Sequence, residues 1–117
     1  MEDRYVTLTG LDHYYGKKPF CIGGLVLLVP EPENEHDAEA VRAVFPRLGT
    51  VGYVANSPST VARGTCSAGR IVDRIGGSCF ARVMFITRGE VLARLEPGVL
   101  VDADVLCAQP DVVFQRG

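Results

Sequence analysis

A chain of 117 residues and 12.6 kDa has room for one domain, since single domains run to about 100–150 residues. Hydrophobic residues at 47% and charged residues at 22% exclude a disordered tail, and a net charge of −2 argues against a strongly basic nucleic-acid protein. No apolar run approaches the ~20 residues of a membrane helix, and the acidic start lacks the layout of a signal peptide, so a cytoplasmic protein is expected.

In chain order, residues 5–9 alternate and are rich in β-formers, which predicts a strand closed by Gly10. Residues 22–29 form a second apolar strand stopped by Pro30. The run from Pro30 to Asp37 has loop chemistry: two prolines and Asn34 favour turns. Residues 40–45, stopped by Pro46, and residues 49–54 predict a pair of strands. Ser57 and Pro58 then suit the cap and first position of a helix, and a second short helix is predicted over residues 67–75, with Gly76 and Gly77 as its stop. Residues 78–87 and 91–95 predict a hairpin turning at Arg88-Gly89, and residues 99–106 a last strand. The expected fold is mainly β: a small OB-like or SH3-like barrel with two short helices in the middle.

The charge is unevenly spread. Residues 1–39 hold three basic and eight acidic side chains, residues 40–95 hold eight arginines against Asp73 and Glu90, and residues 96–117 hold Arg116 against four acids. Arginine binds phosphate through two parallel hydrogen bonds, so the middle segment is suited to phosphates, although a balanced solvated surface accounts for the same composition. Cysteines 21, 66, 79 and 107 form no C-x-x-C, and neither His13 nor His36 stands at zinc-finger spacing from them; no disulfide, metal or cofactor is expected. Gly64 to Gly69 space like a phosphate-binding loop, but Arg70 and Ile71 occupy the places of its Lys and Ser/Thr, which rules against nucleotide hydrolysis. No nucleophile stands in a catalytic signature, and the reading is non-enzymatic.

Two clusters stand out. His13-Tyr14-Tyr15 places three rings directly after the first strand; the plainer reading is a tyrosine pair with one ring in the core. Asn34-Glu35-His36-Asp37 sets an amide and a carboxylate three apart on a turn, which by itself is also the chemistry of an Asx turn ordering a loop.

These clusters in order resemble the HIRAN domain, found at the N-termini of Swi2/Snf2-type DNA translocases and as short standalone bacterial proteins. The marks are Gly10 followed by Tyr14-Tyr15-Gly16; then Leu27 to Pro32 leading into Asn34-Glu35-His36-Asp37; then Ala40 to Val44; then Val51-Gly52-Tyr53-Val54. The resemblance spans about residues 7–95 of a single domain over 1–117, with 96–117 as a C-terminal extension. It implies a barrel related to the OB-fold that binds single-stranded DNA and pockets its 3′-hydroxyl end, with no membrane association. By that resemblance Asp37 accepts the hydrogen bond of the terminal hydroxyl and Asn34 orders the turn or contacts the end. Tyr14 and a neighbouring ring, His13 or Tyr15, stack on bases, and Tyr53 lines the pocket. Glu35-His36 stands where the family has Pro-Tyr, and neutral Asn56 where translocase members carry a basic residue; His36 and Asn56 join the six above as expected nucleic-acid-binding residues. Arg63, Arg70 and Arg74 compensate if the middle segment faces the same groove. The implied role is recruitment beside repair, replication or mobile-element machinery. The alternative is a protein-interaction barrel that has lost DNA binding and offers a free strand edge to a partner.

Overall fold

Period-two burial is the simplest sign of how this sequence closes on itself. In Val41–Phe45 the side chains of Val41, Ala43 and Phe45 are buried while Arg42 and Val44 are half-buried, and Val91–Glu96 repeats the pattern with Val91, Ala93 and Leu95. A computed structural model describes residues 4–57, 59–75 and 77–97. It holds six strands: β1 (Tyr5–Thr9), β2 (Leu25–Pro30), β3 (Val41–Phe45), β4 (Gly49–Val54), β5 (Cys79–Ile86) and β6 (Val91–Glu96). They form a closed barrel in the order β1-β4-β3-β2-β5-β6, and every neighbouring pair is antiparallel. Val6, Leu8, Val26, Leu28, Phe45 and Val83 fill the interior, with the Phe20 and Phe45 rings 5.3 Å apart in a tilted pair. Cys79 is buried and Cys21 packs against the core, both serving as small hydrophobes.

Thr7 is the one buried polar side chain among the described residues, and it explains the path of the middle segment. It lies between inward-facing Val6 and Leu8, so strand alternation turns it away from the interior. Its Oγ1 accepts from Ala62 N at 3.1 Å and pairs with Thr65 Oγ1 at 2.8 Å. Beside it, Ala55 N donates to Thr7 O at 2.8 Å and Cys66 N to Tyr5 O at 2.7 Å. Residues 55–66 are thereby laid along the outside of β1.

That tether corrects the expectation of two helices. After Ser57 there is only a single turn, with Thr60 N and Val61 N both reaching Ser57 O. β-branched Thr60 and Val61 disfavour continuation, and Gly64 at φ 88° breaks the chain direction. One α-helix remains in this stretch, α1 (Ala68–Ile71), preceded by Ser67 without a side-chain cap. A 3₁₀ turn at Leu11–His13 lies outside the stretch where helix was expected. β2 starts at Leu25 rather than residue 22, because Gly23, at φ 87°, and Gly24 make a turn first. The strand expected over residues 99–106 falls outside the described residues. No helix among those described is long and apolar enough to cross a membrane.

The 3₁₀ turn sits where it does because residue 52 has no side chain. A Cβ there would lie 2.7 Å from Leu11 Cδ2 and 3.0 Å from the Thr9 carbonyl oxygen. Gly52→Ala is therefore expected to cost about 1–3 kcal/mol by overpacking against backbone. Thermal melting should show it as a drop of roughly 4–8 °C per kcal/mol. An unchanged melting curve would remove the close approach as a determinant of this fold.

Candidate functional site

The β2–β3 connection is a polar loop that orders itself. Glu31 N donates to Ala40 O at 2.8 Å and closes its neck. Asn34 Oδ1 accepts from the backbone of His36 at 2.9 Å and of Asp37 at 3.0 Å, and Asp37 Oδ1 accepts from Glu39 N at 2.9 Å. Two side-chain turns in tandem thus fix residues 34–39, which is the loop-ordering chemistry of Asn and Asp.

Glu31 ties this loop to the barrel. Its Oε1 accepts from Asn34 Nδ2 at 3.1 Å and from the Tyr53 hydroxyl at 2.9 Å. Its Oε2 lies 3.3 Å from Arg42 Nε, a buried atom that is ion-paired there without hydrogen-bond alignment. Arg42 and Tyr53 are opposite each other across β3 and β4, and Arg42 Nη1 also donates to Thr50 Oγ1 at 3.1 Å. Asn56 makes the second tie. Its Nδ2 donates to Asp37 Oδ2 at 2.9 Å and to Glu39 Oε1 at 3.3 Å, while its Oδ1 accepts from Gly69 N at 2.8 Å. One amide therefore joins the loop to the first turn of α1.

Between the loop and the end of β4 lies an open cleft of about 510 Å³. Asn34, His36, Asp37, Tyr53 and Asn56 line it, five of the eight residues expected from sequence. Ala40 and Val54 add apolar surface, and Ser57 and Thr60 add hydroxyls. His13, Tyr14 and Tyr15 are exposed and are not part of the cleft lining, but Tyr14 is near enough to Tyr53 to bear on the ionisation of that phenol. The sequence reading missed Glu31 and Arg42. The available signal was the placement of Glu31 three residues before Asn34, between two prolines.

Burial pushes the Tyr53 phenol up to about 12, helped by its hydrogen bond to Glu31, the Glu31 charge and the neighbouring Tyr14 phenol. The folded value thus exceeds the ordinary 10.0, so this group's stabilising contribution is full below about pH 10 and is lost as pH rises through about 12. Ultraviolet titration should show one tyrosine ionising late, and Tyr53→Phe should abolish that step; a late step that survives the substitution would contradict the assignment. Elsewhere, burial pushes Glu96 up, but hydrogen bonds from Arg82 and Arg94 outweigh it and hold the carboxyl below its ordinary range.

The cleft offers hydrogen-bond acceptors, an amide, a ring wall and a second ring nearby. Fold and cleft together define a small barrel-type binding domain. The family profile described as the HIRAN domain matches residues 1–88, and the chain belongs to that family. It is similar to the crystal structure of the HIRAN domain of human HLTF, with a TM-score of 0.54 and 15% identity over 98% of this chain and 88% of that one. A likeness at that identity shows the fold. No curated protein matches the chain. HIRAN is a DNA-binding module, and membership supports nucleic-acid binding.

Proposed function

We propose that this chain is a non-enzymatic binder of single-stranded DNA that holds a free 3′-hydroxyl end in the cleft. The observation that carries the reading is the gathering of Asn34, His36, Asp37, Tyr53 and Asn56 around one open cleft. An ionised carboxylate has about four lone-pair sites, and Asp37 uses two of them on Glu39 N and Asn56 Nδ2. It is left able to accept from a hydroxyl and to repel a phosphate. Asn34 holds the turn that presents it. Tyr14 stacks on a terminal base, and Tyr53, whose hydroxyl donates to Glu31, forms the wall.

The described strands close into a barrel, with β1 meeting β4 at Leu8–Val54 and Thr9–Tyr53, and this closure favours the cleft over a strand edge as the binding surface. The proposed role is recruitment to DNA ends beside repair, replication or mobile-element machinery, in the cytoplasm.

Fluorescence anisotropy with matched 3′-hydroxyl and 3′-phosphate single strands, at low and moderate salt, tests the reading. The hydroxyl strand should bind more tightly. Tyr14→Ala should weaken both strands alike by about 1–3 kcal/mol, because stacking does not sense the end group. Equal binding of the two parent titrations would overturn end recognition.

A further inference from the structure

The cleft is short of positive charge for a nucleic-acid site. His36 is the one lining residue able to become cationic, while Asp37 lines the cleft and Glu31 and Glu39 bond to its walls. Several cations of the barrel are already engaged. Arg42 faces Glu31 and Thr50, Arg82 and Arg94 meet Glu96, and Lys17 Nζ donates to the carbonyls of Thr87 and Arg88 at 2.8 and 2.7 Å. Single-strand binding depends on phosphate contacts, so a strand whose end lies here needs its counter-charge from beside the cleft.

The segment at the cleft's edge supplies it. α1 is joined to the cleft wall by Gly69 N donating to Asn56 Oδ1 at 2.8 Å, and Arg70 is the next residue. Helical turns continue past α1, with Val72 N on Ala68 O at 2.9 Å, Arg74 N on Ile71 O at 2.8 Å and Ile75 N on Ile71 O at 3.0 Å. Arg70 and Arg74 therefore stand four apart on helical turns, where side chains are neighbours about 5–6 Å apart at Cβ. Ala68 and Ile71 are buried and Ile75 packs on the core, so the arginine pair lies on the exposed side. Among the described residues neither guanidinium has an ion-pair partner. The acids closest in the chain or in contact are Asp73, which is exposed, and Glu39, which packs against Gly69 and receives Asn56 Nδ2. Lys18 and Arg88 are exposed as well, but no hydrogen bond joins their segments directly to the cleft wall; Arg63, exposed three residues past cleft-lining Thr60, is a single further cation on that side.

We infer that Arg70 and Arg74 form a phosphate-binding rail beside the cleft, taking the backbone of a single strand whose 3′ end lies in it. This rests on the end-binding reading above. Each guanidinium grips a phosphate through two parallel hydrogen bonds, which a lysine pair would not reproduce. The rail contributes affinity without sensing the end group, whereas Asp37 senses the end group.

The test is the salt dependence of binding to a single strand of about twelve nucleotides carrying a 3′-hydroxyl. Two phosphate contacts on a single strand contribute a slope of about 1.4 in log affinity against log salt, or about sevenfold between 50 and 200 mM. Arg70→Gln/Arg74→Gln should lose that share of the slope while melting like the parent and keeping its preference for hydroxyl over phosphate ends. Arg47→Gln is the control, because Arg47 sits in the β3–β4 turn at the opposite end of those strands from the cleft. It should leave the slope unchanged. A double variant with the parent's slope and affinity overturns the rail while leaving end binding intact. A control that shifts the slope as much overturns it in favour of a net-charge effect. A parent that binds no single strand at low salt removes the end-binding reading, and the rail with it.

Discussion

Asp37→Ala should weaken binding of 3′-hydroxyl single strands about ten- to a hundredfold and collapse the preference over 3′-phosphate strands. The magnitude is that of one charge-assisted hydrogen bond, about 1.5–3 kcal/mol. The collapse has a separate cause, because removing the carboxylate also removes its repulsion of a terminal phosphate. The structure adds a complication that decides how the experiment is designed. Asp37 Oδ1 also holds Glu39 N, and Oδ2 holds Asn56, so truncation loosens the loop that presents the end-binding groups. Asp37→Asn separates the two effects. Its amide oxygen still accepts from Glu39 N, so the turn is kept, while its NH2 faces the donor Asn56 Nδ2 and that tie is lost with the charge. The expected pattern is a lower melting temperature for the alanine variant, a smaller drop for the asparagine variant, and lost end preference in both. An asparagine variant that melts like the parent and still prefers hydroxyl ends would show that Asp37 serves only the turn.

The strands were legible in the sequence because each carries its own signal. Alternation in residues 41–45 and 91–95 reports one buried face, and Pro30, Pro46 and Arg88-Gly89 punctuate the runs. The middle segment was not legible for the opposite reason. Ser57-Pro58 and Ser67 are good local helix starts, but the path of residues 55–66 is decided by Thr7, about fifty residues earlier in the chain, through Ala62 and Thr65. Tertiary hydrogen bonds outweighed local propensity there.

The site divides along the same line. Asn34, Asp37, Tyr53 and Asn56 stand in an ordered pattern that the sequence displays. His13 was singled out by its neighbouring rings alone, and the structure leaves it exposed outside the cleft lining. Glu31 looked like one acid among five in a solvated loop. Its importance appears only when the pairing of β2, β3 and β4 brings Tyr53, twenty-two residues later, within 2.9 Å.

That difference makes Glu31→Ala the sharper test of how the cleft is built. The substitution removes the acceptor shared by Asn34 Nδ2 and the Tyr53 hydroxyl and leaves Arg42 Nε, already buried, without its counter-charge. The ion pair itself counts for little, under about 1 kcal/mol, because the Arg42 and Glu31 side chains are 36% and 28% exposed. Most of the loss comes from the two hydrogen bonds to a charged acceptor, so about 2–3 kcal/mol in all is expected. On a domain of this size that is a drop of roughly 10–20 °C in melting temperature. Glu31→Gln keeps an oxygen for both donors but gives up the charge and turns an NH2 toward Arg42 Nε, so it should cost less than the alanine variant while still melting below the parent. The Tyr53 phenol provides a second readout at the site. It should fall from about 12 only part of the way toward 10.0 in the alanine variant, because burial, the largest cause of its elevation, remains. End binding should weaken along with it, since Asn34 and Tyr53 both line the cleft and Glu31 is the side chain that bonds to both. If Glu31→Ala melts with the parent and the late tyrosine step does not move, the loop is held by its own Asn34 and Asp37 turns, and Glu31 has no part in shaping the cleft.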